Sequence, residues 1–460
     1  MEPKGIKGFI MGTNFASDCE GFNRRNFLRI GAGAGLLGLS LPEILKLEAQ
    51  SAAKRNGVSS SKKADSIIMV WLAGGPATID MWDLKPDAPE GIRGEFKPIN
   101  TSAAGIQISE HLPKMAKIAD KTPIVRSIYH SIPSHGPATV FMTTGNKPTP
   151  ALQYPAMGSL VSKLVKGEEG VPSYVSFSDI RGGTAGSSGY LGTAYNPFLV
   201  EGNAGSADGK GSKGSLKVRG IQLPTDFTLE ELNNRDKLLA GFDSTFREVD
   251  KKADLIQGFD AFHQQALDIL RSDKTRKAFD LTQEKPETRA RYGADNFGQS
   301  ALAARRLVES GVRFVTISIG GWDTHNKTFE SHSKKLQPTL DNTLSALISD
   351  LSDRGMLDRT MVYCAGEFGR TPKVNKNVGR DHWARSMAVV LAGGGFKRGY
   401  AHGTTDGQGM AAATDPCLPD DVSSTIFANL GIDPKTELNS STGRPIQLFR
   451  EGTVVDKLLA

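Results

Sequence analysis

The residues of this sequence that could do chemistry are carboxylates and histidines placed beside short apolar runs in its second half. They are Asp323, His325, Glu367, Asp381 and His382. Imidazole and carboxylate side chains together suit zinc, manganese or iron. Each residue alone would more often have an ordinary hydrogen-bonded role, but a set that meets at one point can bind a cation. We therefore predict a metal site formed by these residues.

Five apolar runs must supply the elements that position this set. They cover residues 66–72, 124–129, 312–319, 360–365 and 387–392. Continuous apolar runs of this length are typical of strands that are buried on both faces. Amphipathic helical patterns lie between them, most clearly at 298–310 and 338–354. Strands that alternate with helices predict an α/β fold with a mostly parallel, doubly wound sheet, and such sheets bind ligands beyond the carboxyl ends of their strands.

The first 53 residues have the layout of an export signal. Arg24 and Arg25 precede an apolar run at 30–41, which is followed by small residues at 49–53. This is the twin-arginine pattern, so we expect the twin-arginine translocase as a partner and a periplasmic or cell-surface location. An N-terminal helix of the fold is the alternative, but four glycines within 30–41 disfavour a helix in water.

No stable transmembrane segment is expected. The apolar run of the signal ends at Pro42 after about a dozen residues, whereas a permanent span needs ~20. No later segment of the sequence is long and apolar enough.

The remaining sequence predicts a linker and one domain with an insertion. Residues 54–65 are rich in Ser and Lys and form the linker, and the domain covers 66–460. A stretch rich in Gly and Ser, followed by a charged helical pattern, predicts a loop and helical insertion at about 182–290.

Composition and charge limit the classes of partner. The chain has a formal net charge of +6, to which residues 1–53 contribute only +1, because they hold six Lys and Arg against five acids. No block of five Lys or Arg occurs and the basic residues are not interleaved with aromatics, which excludes a typical nucleic-acid-binding protein. The three cysteines lack a C-x-x-C pair, which excludes a cysteine-based zinc or redox site. One disulfide between Cys364 and Cys417 is conceivable.

Several motifs occur in an order that resembles a known family. The first apolar run is followed by Gly-Gly-Pro-Ala-Thr-Ile-Asp-Met-Trp-Asp, and Gly-Trp-Asp-Thr-His, Glu-Phe-Gly-Arg-Thr-Pro and Arg-Asp-His-Trp follow later. From residue 66 onward the chain resembles the exported family called domain of unknown function 1501, which is itself similar to the superfamily of alkaline phosphatases and sulfatases. The resemblance implies an alkaline-phosphatase-like, three-layer α/β/α sandwich.

The resemblance also implies roles for individual residues. Asp323, His325 and His382 match the first carboxylate and the two histidines of one metal site of the superfamily. That half of the superfamily's metal centre is retained. His332 follows His325 by two helical turns and is interpreted as a solvated helix residue.

The other metal site of the superfamily is incomplete in this sequence. Ala73 and Gly74 lie where the first carboxylate is expected, and the nearest carboxylates are those of Asp80 and Asp83, farther along the loop. Glu367 can replace a later aspartate, but Phe368 replaces the histidine that should follow it.

Ser134 and His135 lie where the superfamily has its attacking residue. The segment 134–145 resembles the helix that begins with the phosphatase serine or the sulfatase cysteine, and counting back from Gly145 places His135 at that position. Imidazole can be phosphorylated, so His135 is a candidate nucleophile. For His135, the open alternatives are a metal ligand and a hydrogen-bond donor to the substrate. The hydroxyl of Ser134 is a second candidate nucleophile.

The resulting hypothesis is a metal-dependent hydrolase of phosphate or sulfate esters, with small molecules or anionic glycans as substrates. A divalent metal such as zinc, manganese or calcium would supply Lewis acidity, and Arg370 would bind the anionic group. The alternative is a non-catalytic, sulfatase-like binding protein for an anionic ligand or a metal. The retained ligand set supports the enzyme, and the missing nucleophile hydroxyl supports the binding protein.

Overall fold

The computed structural model describes residues 62–180, 185–200 and 272–460. The expected signal segment at 1–53 lies outside these residues, and so do most of the expected linker and most of the insertion expected at about 182–290. Among the helices in the described ranges, none is both long enough and apolar enough to cross a membrane.

A central sheet of eight strands organises the fold. The described strands are, in chain order, β1 Ser66–Leu72, β2 Pro98–Asn100, β3 Gln107–Ser109, β4 Ile124–Ile128, β5 Tyr174–Ser176, β6 Phe198–Leu199, β7 Phe314–Ile319, β8 Thr360–Ala365, β9 Gly369–Arg370, β10 His382–Trp383, β11 Met387–Ala392, β12 Ala401–His402, β13 Thr404–Thr405, β14 Ala412–Thr414, β15 Glu437–Asn439 and β16 Pro445–Gln447. The order across the sheet is β12-β4-β11-β8-β1-β7-β5-β6. Neighbouring strands are parallel except where β11 pairs with β4 and β8. The prediction of a mostly parallel sheet is confirmed.

The apolar runs recognised in the sequence all become strands of this sheet. They are β1, β4, β7, β8 and β11. β1 lies between β7 and β8, as expected for neighbouring parallel strands. β4 is separated from β8 by β11, which runs antiparallel to both.

The helices lie in the segments between the strands. They are α1 Glu90–Arg93, α2 Pro113–Ala116, α3 His135–Thr144, α4 Met157–Leu164, α5 Asp273–Phe279, α6 Pro286–Tyr292, α7 Asn296–Glu309, α8 Thr328–Ser331, α9 Gln337–Asp353 and α10 Pro419–Asn429. Short 3-10 turns occur at Thr78–Asp80, Ala119–Lys121, Gly189–Leu191, Thr193–Tyr195, Leu281–Gln283 and Asp456–Leu458. A π-helical turn at His332–Leu336 joins α8 to α9. The two predicted helical patterns at 298–310 and 338–354 correspond to α7 and α9.

Helices cover both faces of the sheet. On β1, Ile68 and Val70 pack into one core together with α7 and α9. Ile67 and Met69, which alternate with them, pack into a second core together with α4 and α10. Burial of both faces explains why the strands are apolar without interruption. The fold is therefore a three-layer α/β/α sandwich.

Strand direction brings the candidate residues to one edge of the sheet. β1, β4, β7 and β8 all end at this edge, and β11 begins there because it runs in the opposite direction. The segments that follow β4, β7 and β8 carry His135, Asp323 and Glu367. The segment that precedes β11 carries His382. The sheet thus places side chains from distant parts of the sequence next to one another.

The two cysteines of the domain are structural. Cys364 and Cys417 are both free and buried, so the conceivable disulfide does not form. Burial raises the pKa of both thiols. The thiols therefore stay protonated and unreactive at neutral pH.

Candidate metal centre

Three histidines turn their Nε2 atoms towards the carboxylate of Asp323. Nε2 of His325 lies 3.0 Å and Nε2 of His382 lies 3.3 Å from Asp323 Oδ1. Nε2 of His135 lies 3.3 Å from Oδ2 of the same carboxylate. The Nε2 atoms of His325 and His382 are 3.0 Å apart. The structure thus brings the predicted ligands Asp323, His325 and His382 to one point and adds His135 to them.

The other ring nitrogen of each histidine has an acceptor. The pairs are His135 Nδ1 with Glu367 Oε1 at 2.6 Å, His325 Nδ1 with Asp381 Oδ1 at 2.7 Å, and His382 Nδ1 with the Pro133 carbonyl oxygen at 2.9 Å. Because an ionised carboxylate and a carbonyl oxygen only accept, each Nδ1 carries a proton, and in the neutral ring Nε2 then has the lone pair. Acceptors of this kind orient the histidines of protein metal sites. Glu367 and Asp381, expected as ligands, therefore lie behind two of the histidines.

Glu367 is fixed by the loop that follows β1. It is fully buried, and its carboxylate accepts the Gly74 N–H at 3.0 Å through Oε1 and at 3.2 Å through Oε2. Gly74 has φ +118°, and a Cβ at this position would lie 2.5 Å from the backbone nitrogen of Asp323. Only glycine fits here. The loop brings its backbone against Asp323 and holds the carboxylate that orients His135.

Arg370 supports Asp323 from the buried side. Its guanidinium donates to the carbonyl oxygens of Gly75 at 2.7 Å, Arg380 at 3.1 Å and Gly74, and it contacts Asp323 Oδ1. Burial would raise the pKa of Asp323, but the hydrogen bond and charge of Arg370 outweigh it, and the pKa is lowered to about 2. Arg370 is 1% exposed and its donors point into the protein. The expectation that Arg370 binds the substrate anion is therefore corrected, and we describe it as a positioning residue.

Asp80 does not join the centre. Each of its two oxygens lies 2.7 Å from a guanidinium nitrogen of Arg380, and the two residues are 2% and 0% exposed. Arg380 also donates to the carbonyl oxygens of Thr371 and Ile92, both at 3.0 Å. Asp80 is one half of a buried, bidentate ion pair, and within the described ranges no hydrogen bond or ion pair links its carboxylate to Asp323 or to the three histidines. The expectation that it contributes to the metal site is corrected.

His135 and Ser134 lie at the start of α3. His135 is the first residue of the helix, and Ser134 before it is exposed and does not cap the helix with its side chain. The ring centroid of Phe368 lies 5.0 Å from that of His135 and 4.5 Å from that of His382. The phenylalanine that replaces a histidine of the superfamily pattern thus packs against two imidazoles of the cluster.

Sequence reasoning missed two residues that support the cluster. Asn375 Nδ2 donates to the His325 carbonyl oxygen at 3.0 Å and to Asp381 Oδ1 at 3.2 Å. His130 Nε2 lies 2.8 Å from the Glu367 carbonyl oxygen, and burial lowers the pKa of His130. Asn375 lies in a polar loop of the kind that forms Asx turns, and this pattern could have identified it. No sequence signal marks His130, because its partner is a backbone atom.

His332 is buried, so its interpretation as a solvated helix residue is wrong. It lies in the π-helical turn at 0% exposure, and its ring meets that of Trp322 edge to face with centroids 5.3 Å apart. Burial, followed by the charges of Arg380 and Arg370, lowers the pKa of His332 to about 3. The neutral ring packs behind the loop that carries Asp323.

Solved structures resemble this chain over most of its length at low sequence identity. A sulfatase from Pseudoalteromonas sp. is 13% identical, with 83% of this chain and 70% of that chain covered and a TM-score of 0.36. A lipoteichoic acid synthase from Listeria monocytogenes is 11% identical, with 88% and 80% covered and a TM-score of 0.34. An alkaline phosphatase from the Antarctic bacterium TAB5 is 9% identical, with 80% and 99% covered and a TM-score of 0.34.

A comparison of sequences identifies the family. No curated protein is significantly similar in sequence to this chain. The family model described as "Protein of unknown function (DUF1501)" matches residues 64–459, a range that contains every residue of the cluster. The chain therefore belongs to the DUF1501 family.

Proposed function

We propose that this chain is an exported, metal-dependent hydrolase of phosphate or sulfate esters. Its metal would be held by Asp323, His325 and His382, with His135 as a further donor. The observation that carries the proposal is the direction of the three imidazoles, since every Nδ1 is engaged behind its ring and every Nε2 faces one carboxylate. The resemblance to phosphatases and sulfatases supplies the class of reaction.

The imidazoles of His325 and His382 need positive charge between them. Their Nε2 atoms are 3.0 Å apart, and with Nδ1 protonated, each neutral ring has an Nε2 lone pair that faces the other ring. Two lone pairs at this separation repel each other unless a proton or a cation lies between them. A cation at this point also meets the carboxylate of Asp323, so one ion satisfies all three side chains.

The spacing of the donors fits a small metal ion. The atoms Asp323 Oδ1, His325 Nε2 and His382 Nε2 are 3.0–3.3 Å apart. Ligands at ~2.0–2.1 Å from a tetrahedral zinc ion lie ~3.3 Å from one another. Calcium takes oxygen ligands, whereas imidazole suits zinc and the transition metals. This donor set therefore favours zinc or manganese over calcium.

The chain also offers groups that would bind the ester. A bound divalent cation supplies Lewis acidity towards an ester oxygen. The backbone N–H groups of His135 and Gly136 have no partner within α3, because the first N–H groups of a helix lack one and Pro137 has no N–H. These amides and the helix dipole favour a phosphate or sulfate group beside the cluster. Arg370 acts through Asp323, which it keeps ionised.

His135 is suited to one of two roles. Because Glu367 accepts the proton of Nδ1, Nε2 of the neutral ring is unprotonated, as both a metal donor and a nucleophile require. The same argument disfavours a role as hydrogen-bond donor to the substrate through Nε2. In His135→Ala, loss of metal together with turnover identifies a ligand, and loss of turnover with full metal content identifies a nucleophile. Unchanged metal and turnover in this variant refute both roles.

The central test is elemental analysis of the purified mature protein, followed by assays with p-nitrophenyl phosphate and p-nitrophenyl sulfate. We expect bound zinc or manganese and turnover of one of the two esters. His382→Ala should lose both, whereas His111→Asn should keep both, since His111 packs against Phe96 outside the cluster. A protein that contains no metal and gains none from added zinc or manganese contradicts the proposal.

The non-catalytic binding protein is the second candidate, and one observation favours it. Within the described ranges, no Ser or Thr hydroxyl is hydrogen-bonded to the side chain of His135, Asp323, His325 or His382, so the cluster does not hold a hydroxyl as an attacking group. Metal binding without turnover of any phosphate or sulfate ester would support this function over the hydrolase.

Export is part of the proposal and has its own test. Changing Arg24 and Arg25 together to Lys should retain the protein in the cytoplasm, because the translocase recognises the paired arginines. The matched control is Arg29→Lys, which leaves the pair intact. Cell fractionation that finds a normal periplasmic yield of the double variant contradicts twin-arginine export.

A further inference from the structure

A cavity of about 690 Å³ opens beside the candidate centre. It is lined by residues that follow β4, by Phe141 of α3 and Lys147 after it, by the segment 382–385 and by Leu418. His382 belongs both to its wall and to the metal cluster. The volume lies within the ~300–1,000 Å³ that is usual for ligand pockets. A molecule in this cavity would therefore lie next to an ester bound at the cluster.

Three aromatic side chains, those of Tyr129, Phe141 and Trp383, line this cavity together with two histidines. Tyr129 is 37% exposed, which is unusual for a large apolar side chain in the described part of this protein. Trp383 is fixed in place, because its backbone pairs with Gly369 and its indole Nε1 donates to the Met410 carbonyl oxygen at 2.9 Å. Rigid aromatic side chains supply contact area at a low cost in conformational entropy. They suit a ligand that contains a ring.

The charge of the cavity lining is positive. Lys147 and Arg385 line it together with uncharged residues and histidines, and no carboxylate does. Lys147 is already paired with Glu451 at 2.7 Å. Arg385 makes no hydrogen bond or ion pair with the described part of the chain, and its guanidinium carbon lies 6.0 Å from the ring centroid of Trp383. Arg385 therefore has free donors for an anion next to an aromatic ring.

We infer that this cavity binds the alcohol part of the ester, and that this part is a sugar ring that carries a further anionic group. The inference rests on the proposed function and names its class of substrate. A neutral sugar would leave Arg385 unused, and an aromatic alcohol without charge would do the same. A sugar with an anionic substituent can pack one ring face on Trp383 and present its anion to Arg385.

The test measures binding directly. Calorimetry is performed on the metal-loaded full-length mature protein with sulfated disaccharides of glucose, galactose and N-acetylglucosamine, each beside its unsulfated counterpart. We expect at least one sulfated disaccharide to bind about tenfold or more tightly than its counterpart. Arg385→Ala should remove this preference, and Arg385→Lys should keep part of it. Trp383→Ala should weaken binding of both forms, and Trp383→Phe should retain most of it.

A matched control and a separate readout complete the test. Arg444→Ala, at an exposed arginine of the turn between β15 and β16, should bind as wild type. Failure of every sulfated disaccharide to bind overturns the inference, and so does full binding by Arg385→Ala. Turnover of p-nitrophenyl esters reports on the proposed function independently. Sugar binding without turnover would contradict the proposed hydrolase and support the ligand assigned to the cavity. Turnover without sugar binding would contradict the ligand assigned to the cavity and leave the proposed hydrolase supported.

Discussion

Asp80 and Asp323 both lie in loops that leave the same edge of the sheet, and each contacts a buried arginine. Asp80 uses both oxygens on Arg380 and is 2% exposed. Asp323 shares one oxygen with Arg370, also faces three imidazoles, and has a side chain that is 46% exposed. Asp80 and Arg380 neutralise each other. By contrast, the carboxylate of Asp323 and the three imidazoles together offer several electron-pair donors, and Arg370 is the one arginine in the described part of the chain that Asp323 contacts. An excess of electron-pair donors, and not an aspartate–arginine contact, is what distinguishes a candidate metal centre from a structural ion pair.

The largest effect is expected from breaking the structural pair. Arg380→Met leaves the carboxylate of Asp80 buried without a partner, so the free energy of unfolding should fall by about 3–5 kcal/mol. Urea denaturation of the wild type and the variant measures the change. The double variant Asp80→Asn with Arg380→Met should recover part of the loss, because it removes the unpaired charge.

An exposed pair of the same geometry is the control for that prediction. Arg359 contacts both oxygens of Asp65 at 2.7 and 2.8 Å, but the Arg359 side chain is 51% exposed. Arg359→Met should cost less than about 1 kcal/mol, because solvent screens a surface pair. Equal losses in Arg380→Met and Arg359→Met would contradict the structural role assigned to Asp80.

A smaller effect is expected from the carboxylate behind His325. Asp381→Asn keeps the shape of the side chain but weakens the acceptor of His325 Nδ1, so metal affinity should fall by about 10–100-fold. Competition with a chelator of known affinity measures it. Asp87→Asn, at an exposed aspartate outside the cluster, should leave the affinity unchanged. An unchanged affinity in Asp381→Asn as well would show that this carboxylate does not orient a ligand.

The last prediction concerns the change in stability per pH unit due to His332, which lies near both arginines. Burial lowers the pKa of His332 to about 3 in the folded protein, whereas an unperturbed histidine has a pKa of about 6.5. Below pH 6.5 the unfolded chain therefore takes up a proton that the folded chain does not, and stability is lost as the pH falls from 6.5 towards 3. The slope from this residue should approach about 1.4 kcal/mol per pH unit. His332→Gln should remove that part of the slope in urea denaturation series, and an unchanged slope would contradict the assignment.

The sequence was sufficient to predict the strands but not the direction of all of them. The runs that became β1, β4, β7, β8 and β11 are apolar because both faces of the sheet are covered. Nothing in such a run fixes its direction. β11 is antiparallel because the chain returns from β8 through the short β9 and β10 ladder at the same edge, with no helical crossover of the kind that a parallel connection needs.

The candidate site could be predicted from the sequence where both partners of a contact are side chains. Asp323, His325 and His382 were found from residue type and from their place beside strands. The role of Arg370 was missed because most of its acceptors are backbone carbonyl oxygens, which every residue has. Asp80 looked equivalent to Asp323 in sequence, since only packing decides which aspartate an arginine encloses.

The candidate metal centre is assembled from distant parts of the sequence, and this determines when a metal can bind. The donors of the candidate centre come from the segments beside β4, β7 and β11. An unfolded chain therefore has no preformed site. A metal can bind only after these three strands have docked. Contacts between such distant parts of a chain form late and slowly in folding. If the protein crosses the membrane folded, as the twin-arginine pattern of its sequence predicts, the metal is loaded in the compartment where the chain is synthesised. The metal ions available there, and not those at the destination, would then decide which ion the centre carries.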